Sequence, residues 1–124
     1  SNYWPLVNNE PQLVGATFMK IDGGIDTGPI LHQIRASIRQ KDNVHTIGNR
    51  LILDMAKELI RLLHSKKKFI FKKKKKKMKI YFKKDFNDDS IKKMNENFSK
   101  NMLKNYLYNK KKIDKKFKII KFIK

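Results

Sequence analysis

Two acids, Asp22 and Asp26, stand four residues apart in the run Asp22-Gly23-Gly24-Ile25-Asp26-Thr27-Gly28-Pro29. Three glycines and a proline share the run, so the backbone there can turn sharply and approach a ligand closely. Apolar alternation flanks it on both sides, and packing requires neither acid. A pair of carboxylates in such a loop could join an oxygen-rich cation site, but no third oxygen ligand lies between the two acids and no glutamate closes the loop. A plain connection with Asx-type turns is a further reading of the same residues.

The elements that must hold this loop are legible around it. Residues 14–21 read as a strand, with Thr17, Met19 and Ile21 on one face and Ala16, Phe18 and Lys20 on the other. Residues 30–38 read as a second, with Ile30, His32, Ile34, Ala36 and Ile38 alternating against Leu31, Gln33, Arg35 and Ser37. The two can pair antiparallel, although their loop exceeds a tight hairpin. A polar turn follows, and Asp42 is expected to cap a helix over residues 44–64, where Ile47, Leu51, Ile52, Met55, Leu59, Leu62 and Leu63 form an apolar stripe. Ahead of the first strand, Trp4, Leu6 and Val7 suit one helical turn with Pro5 inside it, ended by Asn8-Asn9-Glu10-Pro11.

The chain has 124 residues, enough for one domain, and a net charge of +20. The charge is one-sided. Up to His64 there are seven basic residues and six acids, whereas from Ser65 on there are 24 lysines and five acids. Of the last 60 residues, 47 are Lys, Asn, Ile, Phe or Tyr, whose codons can be built from A and T alone, so base-composition bias accounts for much of the run. Some order survives in it. Residues 78–82 alternate like a short strand, and Asp88-Asp89-Ser90 opens a helix with Ile91, Met94, Phe98, Met102 and Tyr106 at helical spacing. A solvated extension is the plain reading. The alternative is a non-enzymatic basic protein that binds nucleic acid weakly through lysines 66–68, 72–77 and 110–112, interleaved with Phe69, Phe71, Tyr81 and Phe82. There is no cysteine, no apolar run long enough for a membrane span and no signal-peptide pattern, which implies a soluble, cytoplasmic protein without a thiolate metal site. The start at Ser1, without an initiator Met, implies a fragment or a processed product.

On these residues the chain resembles the formyltransferase family that uses 10-formyltetrahydrofolate. The likeness rests on Gly15-Ala16-Thr17, on the run from Ile21 to Leu31 with Gln33, and on Asp42 heading an amphipathic helix. Trp4-Pro5-Leu6-Val7-Asn8-Asn9-Glu10 also looks like the end of the family's preceding helix. The resemblance covers residues 3–64 and implies an α/β fold. Residues 1–64 would be a strand–loop–strand–helix portion of a Rossmann-like catalytic domain, and residues 65–124 a lysine-rich, partly helical extension. It implies a folate donor, 10-formyltetrahydrofolate, and an amine-bearing acceptor: an amino sugar, methionyl-tRNA or a purine-pathway amine. Asp26 takes the family's catalytic aspartate position, and Asp22, Gly23, Gly24, Ile25 and Asp26 would line the pterin pocket. The family's Asn-x-His motif is expected upstream of Ser1. His32 in a strand, His45 at a helix start and His64 at a helix end do not replace it, so this stretch alone is expected to lack activity. His32 and Gln33 then read as sheet residues and Trp4 as a packing aromatic.

Overall fold

A computed structural model describes residues 2–73 and 80–124. The element order is α1 (Tyr3–Val7), β1 (Gly15–Met19), β2 (Ile30–Arg35), α2 (Val44–His64), α3 (Asp88–Ser99), α4 (Met102–Tyr108) and α5 (Lys110–Lys116), with short 3₁₀ turns at Pro11–Leu13 and Lys83–Asp85. Among the described residues the sheet has two strands, and they pair antiparallel from Gly15 opposite Arg35 to Phe18 opposite His32. Both strands are shorter than their apolar alternation. The ladder is irregular between Phe18 and Met19, where Met19 pairs with Ile30, and Ile21 beyond it stands 92% exposed. Ala36 and Ile38 leave the ladder but stay buried, so the predicted inner face of the second strand continues into the core. Of the segment expected at residues 78–82, residues 78 and 79 lie outside the described residues, and Ile80, Tyr81 and Phe82 carry no strand.

The long helix runs from Val44 to His64, as its spacing predicts, but its cap is one residue later than expected. Asn43 Oδ1 accepts from the backbone N–H groups of His45 and Thr46 at 2.9 and 3.0 Å, and Thr46 Oγ1 accepts from Asn43 N–H at 2.9 Å. Asp42 is taken instead by Arg50, whose guanidinium meets both carboxylate oxygens at 2.7 and 2.8 Å. That bidentate contact, against the opposing effect of burial, holds the Asp42 carboxyl at about 2, well below its ordinary value of 3.8. A pKa depressed in the folded state contributes stability that is present above about pH 4 and lost as pH falls through about 2. In urea unfolding from pH 6 to pH 2, Asp42→Asn should trail the wild type by roughly 2 kcal/mol at pH 6, with the gap closing at the acid end. A gap independent of pH would contradict this.

The core draws on both halves of the chain. Leu6, Val7, Val14, Ala36, Ile38, Ile47 and Leu51 form one cluster with Met94, Met102, Leu103 and Tyr106. The lysine-rich half therefore supplies core as well as solvated surface. Asn97 Nδ2 donates to the carbonyls of Leu6 and Val7 at 2.9 Å each, which satisfies the open C-terminal end of α1 from α3. Trp4 packs as expected, stacked on Tyr81 with centroids 4.1 Å apart and edge-on to Phe86. No helix of the described residues is long and apolar enough to cross a membrane.

Candidate functional site

The loop between the strands is closed at its neck and open at its tip. Lys20 N–H donates to the Pro29 carbonyl at 3.0 Å, just beyond the end of β1. Gly28 is buried at that neck, and a Cβ there would sit 1.7 Å from the Lys20 carbonyl oxygen, so a side chain cannot be admitted without moving backbone. Within the loop, Asp22 Oδ1 accepts from Gly24 N–H at 2.9 Å and from Thr27 Oγ1 at 2.5 Å. This brace makes Asp22 a scaffold residue and shapes the Asx-type turn that the sequence allows. Asp26 follows with φ of 53°, in the left-handed region that non-glycine residues adopt at a cost. The five residues singled out, Asp22, Gly23, Gly24, Ile25 and Asp26, thus lie together on one exposed, internally braced loop, and Ile25 is 92% exposed.

Two of the histidines are engaged elsewhere. His32 is fully buried between β2 and α2. Its Nδ1 accepts from Phe122 N–H at 2.9 Å, so the proton sits on Nε2, which donates to Glu58 Oε1 at 2.8 Å. Burial pushes the Glu58 carboxyl up, but hydrogen bonds from His32 and Arg61 hold it below the usual carboxylate range. His64 Nδ1 sits 2.8 Å from the Ile60 carbonyl at the end of α2. One Asn-x-His triplet does occur, Asn43-Val44-His45, and reading by motif passes over it. Its Asn43 Oδ1 accepts the His45 and Thr46 N–H groups, which ties the triplet into the cap of α2.

Sequence reasoning also missed what covers the outer edge of β2. Ile30 exchanges backbone hydrogen bonds with Lys72 at 2.7 Å, and Gln33 N–H donates to the Ile120 carbonyl at 2.7 Å. Gln33 Oε1 accepts from Ile120 N–H at 2.9 Å, and its Nε2 donates to Thr17 Oγ1 at 3.1 Å. Arg35 reaches the Gln12 carbonyl at 2.9 Å and the Phe117 carbonyl, and it faces Asp114 at 3.6 Å. Arg61 donates to the Lys124 carbonyl. The signal for this was the apolar group Ile119, Ile120, Phe122 and Ile123 near the end of a lysine field. An edge strand left bare would be open to foreign pairing, and these segments close it.

Among the described residues no three His, Asp or Glu side chains gather as a metal site. Two surface hollows, one along α3 and one between the end of α2 and Lys124, are lined without the loop. The loop offers a ligand one wall rather than a cavity. At Gly23 an added Cβ would meet nothing within 4 Å, so the backbone there faces open space.

No family model matches the chain, and no solved structure matches it. Curated relatives do. A methionyl-tRNA formyltransferase of Thermodesulfovibrio yellowstonii is 40% identical over 67 residues, covering 54% of this chain and 21% of that protein. One of Desulforamulus reducens is 37% identical over 62 residues, 50% of this chain and 19% of the relative. One of Synechococcus sp. WH7803 is 38% identical over 48 residues, 39% of this chain and 14% of the relative. The chain spans about a fifth of the length of the first two.

Proposed function

We propose, for a chain that over about half its length is related to the formyltransferase family, that residues 14–64 are one wall of a site for formyl transfer to an amine. The observation that carries this is the braced loop, which fixes Asp26 in a left-handed conformation at the exposed tip between two paired strands. Strand, loop, strand and helix would form part of a Rossmann-like domain. The donor, 10-formyltetrahydrofolate, supplies the formyl carbon when bound. Residues 22–26 hold its ring edge, and the Asp26 carboxylate orients an imidazole that another segment brings. Such a carboxylate fixes the tautomer and favours the charged ring, which lets the imidazole move protons near neutral pH. Methionyl-tRNA is the acceptor that the relatives' names support. A half-chain with 24 lysines is suited to a polyanion of that kind.

One wall binds weakly, so the test is a residue-resolved titration of this chain with a folate analogue that cannot release its formyl group. The amide resonances of Gly23, Gly24, Ile25 and Asp26 should shift together, with a Kd of about 1 mM. Shifts confined to α3, or none in residues 22–26, would overturn the reading.

A further inference from the structure

Residues 102–116 form one nearly continuous helical rod. Asn109 N–H donates to the Asn105 carbonyl at 3.2 Å and Ile113 N–H to the Asn109 carbonyl at 3.0 Å, so the backbone ladder runs across the break between α4 and α5. Met102, Leu103 and Tyr106 are buried in the core. Asp114 stands on the same inner side, where it accepts from the Tyr106 hydroxyl at 2.7 Å and pairs with Lys110 and Arg35. On the opposite side, at about 100° per residue, Lys104, Tyr108, Lys111, Lys112 and Lys115 fall within an arc about 100° wide. All five are exposed, Tyr108 by 90%. Asp114 is the only acid after Glu96, and it is engaged inward, so the arc itself holds no carboxylate.

We infer that this outer face binds single-stranded nucleic acid, with the lysines on its phosphates and a base stacked on the Tyr108 ring. Charge selects the partner first. Four lysines along about 16 Å of helix axis suit a chain of anionic charges. The ring selects it further. A face that is merely solvated needs no aromatic side chain held out among its lysines, whereas an unpaired base needs a flat surface to stack on. A duplex keeps its bases inside the stack, so the ring favours single strands. A lipid surface would call for several apolar side chains, and Tyr108 is the only one on the arc with an apolar body. The aromatics that the sequence singled out beside its lysines are used otherwise. Tyr81 is stacked on Trp4, and Phe69 packs edge-on to Phe71 and Phe122. The arc lies outside residues 3–64, on which the likeness to formyltransferases rests, so the inference stands independently of the proposed function.

The test is fluorescence anisotropy of a labelled oligouridylate titrated with the whole chain, between about 50 and 200 mM salt. Tyr108→Ala should weaken binding roughly 5–150-fold, the range that a lost base stack carries, and Tyr108→Phe should bind within about twofold of the wild type. Replacing two lysines of the arc, Lys111→Gln with Lys115→Gln, should flatten the slope of log K against log salt by about 1.4, which is two phosphate contacts on a single strand. Lys66→Gln with Lys67→Gln removes the same charge away from the arc and should leave that slope within about 0.3 of the wild type. Equal flattening by the two lysine pairs would overturn the inference in favour of a diffuse charge field. Wild-type affinity in Tyr108→Ala would overturn it as well, and so would an RNA duplex bound as tightly as the single strand. Binding to phosphatidylserine vesicles or to polyglutamate that Tyr108→Ala abolishes, with no binding of oligouridylate, would identify a lipid surface or an acidic protein instead. No formyl donor is present in these titrations, so their failure leaves the proposed function untouched.

Discussion

In a T. yellowstonii methionyl-tRNA formyltransferase whose own strand–loop–strand segment is exchanged for residues 14–38 of this chain, Asp26→Asn should lower kcat by ~10²–10⁴-fold. Asparagine keeps the size and the hydrogen-bonding reach of the side chain and removes its charge. What is lost is the field that favours a protonated imidazole, together with the acceptor that fixes its tautomer. The loop itself should survive, because its brace runs through Asp22 to Gly24 and Thr27. The left-handed backbone at Asp26 also suits asparagine as well as aspartate. The donor's KM should therefore move far less than kcat. A variant with wild-type kcat would reject the role assigned to Asp26, and a large rise in KM alone would turn that role into binding.

The largest loss of stability is expected from His32→Ala. The imidazole is fully buried, and both ring nitrogens are committed, one to Glu58 and one to Phe122 N–H. Truncation leaves a cavity and a backbone N–H without its acceptor. It also strips one of the two side chains that hold Glu58 ionised in a place where burial opposes the charge. Truncating a buried aromatic side chain that also makes hydrogen bonds costs about 3–5 kcal/mol. That is between a fifth and the whole of what a domain usually has, about 5–15 kcal/mol. Urea denaturation should show a fall in the midpoint with little change in slope. Amide exchange should accelerate first near Ile120 and Phe122, which are docked on β2 through His32 and Gln33. A cost below about 1 kcal/mol would mean that the C-terminal segment is not held this way.

What the residues disclosed and what they concealed follow from the range of the interactions involved. The bounds of α2 were readable because apolar spacing and a capping signal are local, and they land on Val44–His64. Asp42 was misjudged because its carboxylate has two suitors. A bidentate guanidinium eight residues away outcompetes the backbone N–H groups of the helix start, and Asn43 takes the cap. In the lysine-rich half, the opening of α3 at Asp88 was visible. The break before α4 was not, since it depends on Asn101 entering the left-handed region with φ of 61°. Least legible were the contacts of longest range. Nothing local to Ile120 or Phe122 says that they dock on Gln33 and His32, or that Met94 and Tyr106 share a core with Leu6. In the loop, residue types and spacing named Asp22 and Asp26 together. The family resemblance set Asp26 apart as catalytic, and the geometry adds that Asp22 is turned inward as the brace while Asp26 holds a left-handed backbone.

The most direct test of the claim that residues 22–28 form a wall of a formyl-transfer site is the activity of the exchanged enzyme itself. Residues 14–38 are placed in the T. yellowstonii methionyl-tRNA formyltransferase, and initial rates of methionyl-tRNA formylation are compared with the parent. A rate within about tenfold of the parent, which is ~1.4 kcal/mol of barrier, is the predicted result. A folded exchange enzyme that still binds donor and acceptor but transfers no formyl group would contradict it.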